Sequence, residues 1–329
     1  MRRPAARAIV AAFAGLSVFL TACGPASVSA GGSADDGLVD VVASTSVYGD
    51  IVGTIGGDKV RVTSIINRTS QDPHSYEATT QDKLAVSKAE LLVENGGGYD
   101  DFIHKLAEDT GLDEGNVLNA VELSGLAPEE PAGASADASA DASASADADG
   151  HGHENEGFNE HVWYSLPAMA RLADAVAAKL GELEPSSAGT FSSNAAAFKE
   201  SLGGLETKLA GVKASDGGAP VAVTEPVPLY LLEAAGLDNR TPDEYTAAIE
   251  EDTDVPPAVL KATTDLVKSG SIRLLAYNQQ TEGPQTVDVK NAATAAGVPV
   301  VNFSETLPEG KTYVEWMTGN VDNIVKALA

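Results

Sequence analysis

From Leu38 onward, short apolar runs alternate with amphipathic segments. Runs of three to seven residues rich in Val, Ile and Leu, bounded by polar or Gly-containing stretches, predict buried strands. They fall at Val39–Ala43, Val60–Ile66, Leu91–Glu94, Val221–Val223, Leu274–Tyr277 and Val298–Asn302. Between them, apolar positions spaced three to four apart predict helices over Gln81–Lys88, Asp100–Asp109, Pro257–Ser269, Val287–Ala296 and Thr312–Ala329. Strands alternating with such helices imply an α/β fold with mostly parallel sheets. Two blocks of this kind occur, separated by sequence of another character.

That middle stretch opens with low complexity. Residues 127–157 carry a Ser-Ala-Asp-Ala repeat and then His151-Gly152-His153-Glu154-Asn155-Glu156, with no large apolar side chain between Pro128 and Gly157. Such a segment cannot offset the entropy of ordering, and it is predicted to be a disordered insert. Leu166–Leu183 then reads as a helix, with Pro167 in its first turn and Pro185 beyond its end. Ser186–Val212 reads as a longer one, with Phe191, Ala195, Phe198, Leu202, Leu205 and Leu209 on one face. A helix of that length between two α/β blocks is either a rigid connector or a peripheral helix on one lobe; periodicity does not choose between them. The resulting division is an N-terminal lobe over 38–185, a linking helix over 186–213 and a C-terminal lobe over 214–329.

The first residues fit neither block. Arg2, Arg3 and Arg7 precede an apolar run from Ala8 to Leu20, too short at 13 residues to span a bilayer and proportioned like a signal-peptide core. Leu20-Thr21-Ala22-Cys23-Gly24 follows and resembles a bacterial lipobox, in which the Cys is lipidated. Cys23 is the only cysteine of the chain, so an intramolecular disulfide framework and a thiolate-rich zinc site are both excluded. The expectation is a signal peptide over 1–22, then a lipidated Cys23 and a flexible tether through residue 37. Such a protein is exported and lipid-anchored on the outer face of the bacterial cytoplasmic membrane.

Charge narrows the list of partners. The 329 residues hold 48 acidic against 21 basic side chains, for a formal net charge of −27. So acidic a surface argues against nucleic acid, whose phosphates need a basic face, and against adsorption to anionic lipid. It leaves cations as natural ligands. Eight of the acids lie in the insert, where no base accompanies them.

The five histidines are His74, His104, His151, His153 and His161. His104 lies on a helix beside Lys105 and reads as a solvated position. His74, in Asp72-Pro73-His74-Ser75-Tyr76-Glu77, and His161, in Asn159-Glu160-His161-Val162-Trp163, each precede a helix. Each could equally be a cap, a core residue or a metal ligand. Glu225 and Glu305 directly follow predicted strands, where α/β sheets present ligand-binding loops. In so acidic a chain, a solvated loop acid is the competing reading for both.

Taken together, Pro73-His74-Ser75-Tyr76-Glu77, Glu160-His161-Val162-Trp163, Thr224-Glu225-Pro226-Val227-Pro228-Leu229-Tyr230 and the closing Gly310-Lys311-Thr312-Tyr313 stretch through Trp316-Met317 to Asn320 resemble the motifs of the zinc/manganese class of ABC-transporter substrate-binding lipoproteins. The resemblance covers about residues 38–329. It implies two lobes, each a mostly parallel sheet flanked by helices, joined by one long rigid helix, with metal held between the lobes. It further implies His74, His161, Glu225 and Glu305 as ligands, delivery of the metal to a membrane permease, and a monomer. Three departures stand out. Glu160 replaces the Pro that usually precedes the second His. Lys311 stands where the family carries an acid, and an ammonium has no lone pair to give. The stretch Tyr277-Asn278-Gln279-Gln280-Thr281 replaces a more acidic one. Asp288 or a water therefore competes with Glu305 for the fourth position.

Two imidazoles and two carboxylates suit a borderline divalent ion, Zn²⁺ or Mn²⁺. The choice between them stays open, because carboxylates favour Mn²⁺ whereas His151 and His153 resemble a sparse version of the His-rich loop of zinc-binding members. As accessory ligands these two compete with the reading of the insert as a solvated linker. A metal-dependent hydrolase would need an open coordination position and a general base, and the His-Glu-x-x-His pattern is missing from the sequence. A surface adhesin without metal would leave the loop-end ligands unexplained.

Overall fold

The computed structural model describes residues 37–71, 73–127 and 158–329. The signal peptide, Cys23, Asp72 and the insert with His151 and His153 lie outside the described residues. In chain order the first half holds β1 (Val39–Thr45), α1 (Ser46–Gly56), β2 (Val60–Ile66), α2 (Thr80–Val86), β3 (Leu91–Glu94), α3 (Asp101–Thr110), β4 (Val117–Asn119) and α4 (Ala120–Ser124). Then come α5 (Leu166–Leu183) and the 29-residue α6 (Ala188–Asp216). The second half holds β5 (Pro220–Val223), α7 (Leu229–Ala234), β6 (Asp238–Asn239), α8 (Asp243–Glu250), α9 (Pro257–Lys268), β7 (Leu275–Asn278), α10 (Pro284–Ala295), β8 (Val300–Phe303) and α11 (Tyr313–Leu328).

Every strand pairing is parallel, and the two four-stranded sheets share one order, β2-β1-β3-β4 and β6-β5-β7-β8. In each, the connections run in opposite directions from the central pair. The crevice at the carboxyl ends of that pair is where a doubly wound sheet binds its ligand. Thr45 and Glu94 end the central strands of the first sheet, and Val223 and Asn278 those of the second. The sheet interiors read as continuous apolar runs because both faces are covered.

The long helix packs on α1 and α5 on one side and on α7 and α11 on the other. Its buried stripe is Phe191, Ala195, Phe198, Leu202, Leu205, Leu209 and Val212, the face read from periodicity. It is therefore not a peripheral helix of one lobe. One hydrophobic cluster runs from Val41 and Val93 of the first sheet through this stripe to Val221, Phe303 and Trp316. Polar contacts fasten the halves as well. Tyr164 Oη donates to the Ser304 carbonyl at 2.7 Å, Tyr313 Oη to the Trp163 carbonyl at 2.6 Å, and the Tyr313 amide to Asp50 at 2.7 Å. Among the described residues no helix is long and apolar enough to cross a membrane.

Candidate metal centre

The loops at the carboxyl ends of the two sheets converge. His74 lies between β2 and α2, and His161 just before the turn that leads into α5. Their rings stand 6.3 Å apart, centroid to centroid, with Tyr99 edge-on to His74 at 4.8 Å and Trp163 edge-on to His161 at 5.0 Å. His74 is partly open to solvent, whereas His161 is fully buried. Ligand atoms of His74, Glu160, His161 and Glu250 all lie within 4.8 Å of one another. Glu250 ends α8, and its Oε1 is 3.4 Å from His161 Nε2 and 3.9 Å from His74 Nε2.

His161 is held in one tautomer. Its Nδ1 is 2.7 Å from Asn159 Oδ1, which also accepts from the His161 amide at 3.2 Å. The Asn159 orientation is fixed independently, because its Nδ2 donates to the Pro226 carbonyl at 3.1 Å. Nδ1 is thus the donor, and Nε2 presents its lone pair to the site. A metal-binding imidazole needs that arrangement, with the far nitrogen tied down. Burial, and then the neighbouring His74, push the His161 pKa well below its ordinary value, so the ring is neutral. Nε2 is buried and has no hydrogen-bond partner, a costly state for a polar atom.

Glu225 and Glu305 stand on the second sheet, the former two residues beyond β5 and the latter two beyond β8. The Asn278 amide donates to both, at 2.5 Å to Glu225 Oε2 and 2.7 Å to Glu305 Oε1. Thr281 Oγ1 donates to Glu225, and Tyr99 Oη to Glu305 at 3.2 Å. Gln280 accepts from the Glu305 and Thr306 amides and donates to the Gln71 carbonyl at 3.2 Å, linking this loop to the one that carries His74. The Asn278–Thr281 stretch thus holds the carboxylates rather than adding to them. Glu225 and Glu305 both act on Glu250, whose pKa is raised well above its ordinary value by burial first and then by Glu160, Glu225 and Glu305. Glu160 is raised too, chiefly by burial. Acids facing the two imidazole rings, with the neutral His161 among them, make a pocket suited to a divalent cation.

The family model of the periplasmic zinc-uptake complex component A, ZnuA, matches residues 41–327. The chain belongs to this family. Among ZnuA-family relatives, the manganese-binding lipoprotein MntA of Halalkalibacterium halodurans is 24% identical over 320 residues, covering 95% of this chain and 96% of that one. The periplasmic zinc-binding protein TroA of Treponema pallidum shares the fold, with a TM-score of 0.67 at 20% identity, covering 89% of this chain and 100% of that one. A mutant of the laminin-binding adhesin Lmb of Streptococcus agalactiae gives the same TM-score and identity over 88% and 100%.

Within this family frame, the structure brings His74 and His161 together, with Glu225 and Glu305 bound to one amide beside them. Lys311 is exposed. Asp288 lies on α10, and neither it nor Glu225 nor Glu305 belongs to the group of clustered ligand atoms, in which Glu160 and Glu250 are the acids. His104 is not merely solvated, since its Nδ1 lies 3.2 Å from Oε1 of the buried Glu94. Burial opposes a charge on His104, but the Glu94 carboxylate outweighs it and raises the pKa. Glu160 and Glu250 went unread as site residues. Glu160 was visible as the departure before His161. For Glu250 the only local signal was Pro242-Asp243-Glu244, a helix start that would have placed it in a last turn.

Proposed function

We propose that this chain is the substrate-binding lipoprotein of an ABC importer, which captures Mn²⁺ or Zn²⁺ between its two halves and delivers it to a membrane permease. It works as a monomer without chemical turnover, exported and held through a lipid on Cys23 at the outer face of the cytoplasmic membrane. His74, His161, Glu225 and Glu305 bind the ion. The observation that carries the reading is the buried His161 Nε2, aimed at carboxylate oxygen with no hydrogen-bond partner. Its likeness to manganese-binding lipoproteins supports it.

Titrating metal-free protein with Mn²⁺ and Zn²⁺ while following the melting temperature tests it. A ligand that binds only the native state stabilises by about 2.7 kcal/mol at a hundred times its Kd. His74→Ala and Glu225→Gln should each remove the shift, whereas His104→Ala should retain it. Absence of a shift with either ion would overturn the proposal.

A further inference from the structure

We infer that Glu250 is a direct ligand of the transported ion and selects Mn²⁺ over Zn²⁺. The inference rests on the metal-binding reading above. It concerns a residue on α8, outside the loops whose motifs pointed to the site.

The first argument is an acceptor facing an acceptor. His161 spends its N–H on Asn159, so Nε2 offers only a lone pair, and a Glu250 oxygen sits 3.4 Å from it. Two lone pairs at that separation repel unless a cation or a proton lies between them. The spacing also suits a shared ion. Bonds of about 2.1 Å put neighbouring ligand atoms about 3.0 Å apart in an octahedron and about 3.4 Å apart in a tetrahedron.

The second argument is the state of the carboxylate. Both Glu250 oxygens are buried, and the one side chain placed to hydrogen-bond them is another acid, Glu160, a pairing that needs a shared proton or a cation. Among the described residues neither Glu250 nor Glu160 is paired with Lys or Arg. The neighbouring acids Glu251, Asp252 and Asp254 are exposed, and only Glu250 turns inward. Asp252, the one described non-Gly residue with positive φ (49°), makes the left-handed turn directly after the helix.

The third argument is the donor count. His74, His161, Glu160 and Glu250 offer ligand atoms within 4.8 Å of one another, Glu225 and Glu305 add two carboxylates outside that cluster, and carboxylates can bind through one oxygen or both. Zn²⁺ is satisfied by four donors in a tetrahedron, and oxygen-rich shells of higher number suit Mn²⁺. Glu250 is then a surplus ligand for zinc and a needed one for manganese.

Competition titration of metal-free wild type, Glu250→Gln and Glu250→Ala with Mn²⁺ and Zn²⁺ tests this. Expected for both variants is a Mn²⁺ affinity lower by at least about tenfold, with Zn²⁺ affinity nearly unchanged. X-ray absorption on the Mn²⁺ complexes should show one oxygen fewer in Glu250→Ala. Equal losses for both ions would overturn the selective role, and unchanged Mn²⁺ affinity would overturn ligation. Circular dichroism and melting of the metal-free variants separate loss of a ligand from loss of the fold. Wild type that binds neither ion would refute the transport reading itself, a result distinct from either outcome above.

Discussion

Asn159 offers a sharp test of how the site is built, because it touches no proposed ligand atom. Its side chain accepts from His161 Nδ1 at 2.7 Å and from the His161 amide at 3.2 Å, and donates to Pro226 at 3.1 Å. Asn159→Ala removes all three bonds. At about 1 kcal/mol each, the metal-free protein should lose about 2–3 kcal/mol. The freed imidazole can then carry its proton on Nε2, the atom meant for the ion. Losing such an orienting partner typically weakens metal binding by about 10–100-fold, which is about 1.4–2.7 kcal/mol. The two losses are separable, the first by urea denaturation without metal and the second by isothermal titration with Mn²⁺. Asn159→Asp keeps the acceptor and should hold most of the affinity, though it loses the bond to Pro226. Nitrogen NMR of His161 should show the proton on Nδ1 in wild type and a mixture in Asn159→Ala. A variant with lowered stability but unchanged Mn²⁺ affinity would refute the tautomer argument.

Two other outcomes follow. Glu94 is almost fully buried, and burial with the nearby Asp100 pushes its pKa up to about 7, against the opposing pull of His104 and Asn119. A raised carboxyl pKa gives stability that is complete below about pH 4.5 and lost as pH rises through about 7, at most about 3 kcal/mol. Urea denaturation of metal-free wild type and Glu94→Gln across pH 5–8 should show that decline in the first and a flatter profile in the second. Deleting residues 132–153 should leave Mn²⁺ affinity by titration unchanged, since the proposed ligands all lie elsewhere; a collapse would make the insert part of the site.

Of the strands best legible in the sequence, β1, β3 and β5 are covered on both faces, where an unbroken apolar run is the signal, whereas the edge strand β2 alternates, with Arg61 and Thr63 exposed. The long helix was legible because its apolar stripe repeats over seven positions. Helix α1 was not, because Ser46–Gly56 holds three glycines that dilute the period. Two of them have a packing reason: a Cβ on Gly49 would lie 2.1 Å from Ser64 Oγ, and one on Gly56 2.4 Å from Val60 side-chain carbons, whereas Gly53 faces open space. Strands β4 and β6, three and two residues long, carry too few positions for any period. Of the site, the loop-end residues could be seen because strand ends mark them. Glu250 could not, since it sits in an acidic run whose other acids are solvated, and only tertiary packing turns it inward. The role of Asn278 was equally hidden, for a neutral amide between two carboxylates has no local signature.

The two sheets share one strand order but not one set of donor atoms. No histidine follows His161, so the second half can offer an ion oxygen alone, while both imidazoles of the proposed site come from the first. Glu160 is the one acid among the clustered ligand atoms that comes from the first half. An ion at the proposed site would thus take all its nitrogen bonds from one half and most of its oxygen bonds from the other. The first half alone offers a mixed donor set suited to a borderline ion, and the second alone an oxygen set suited to a harder one.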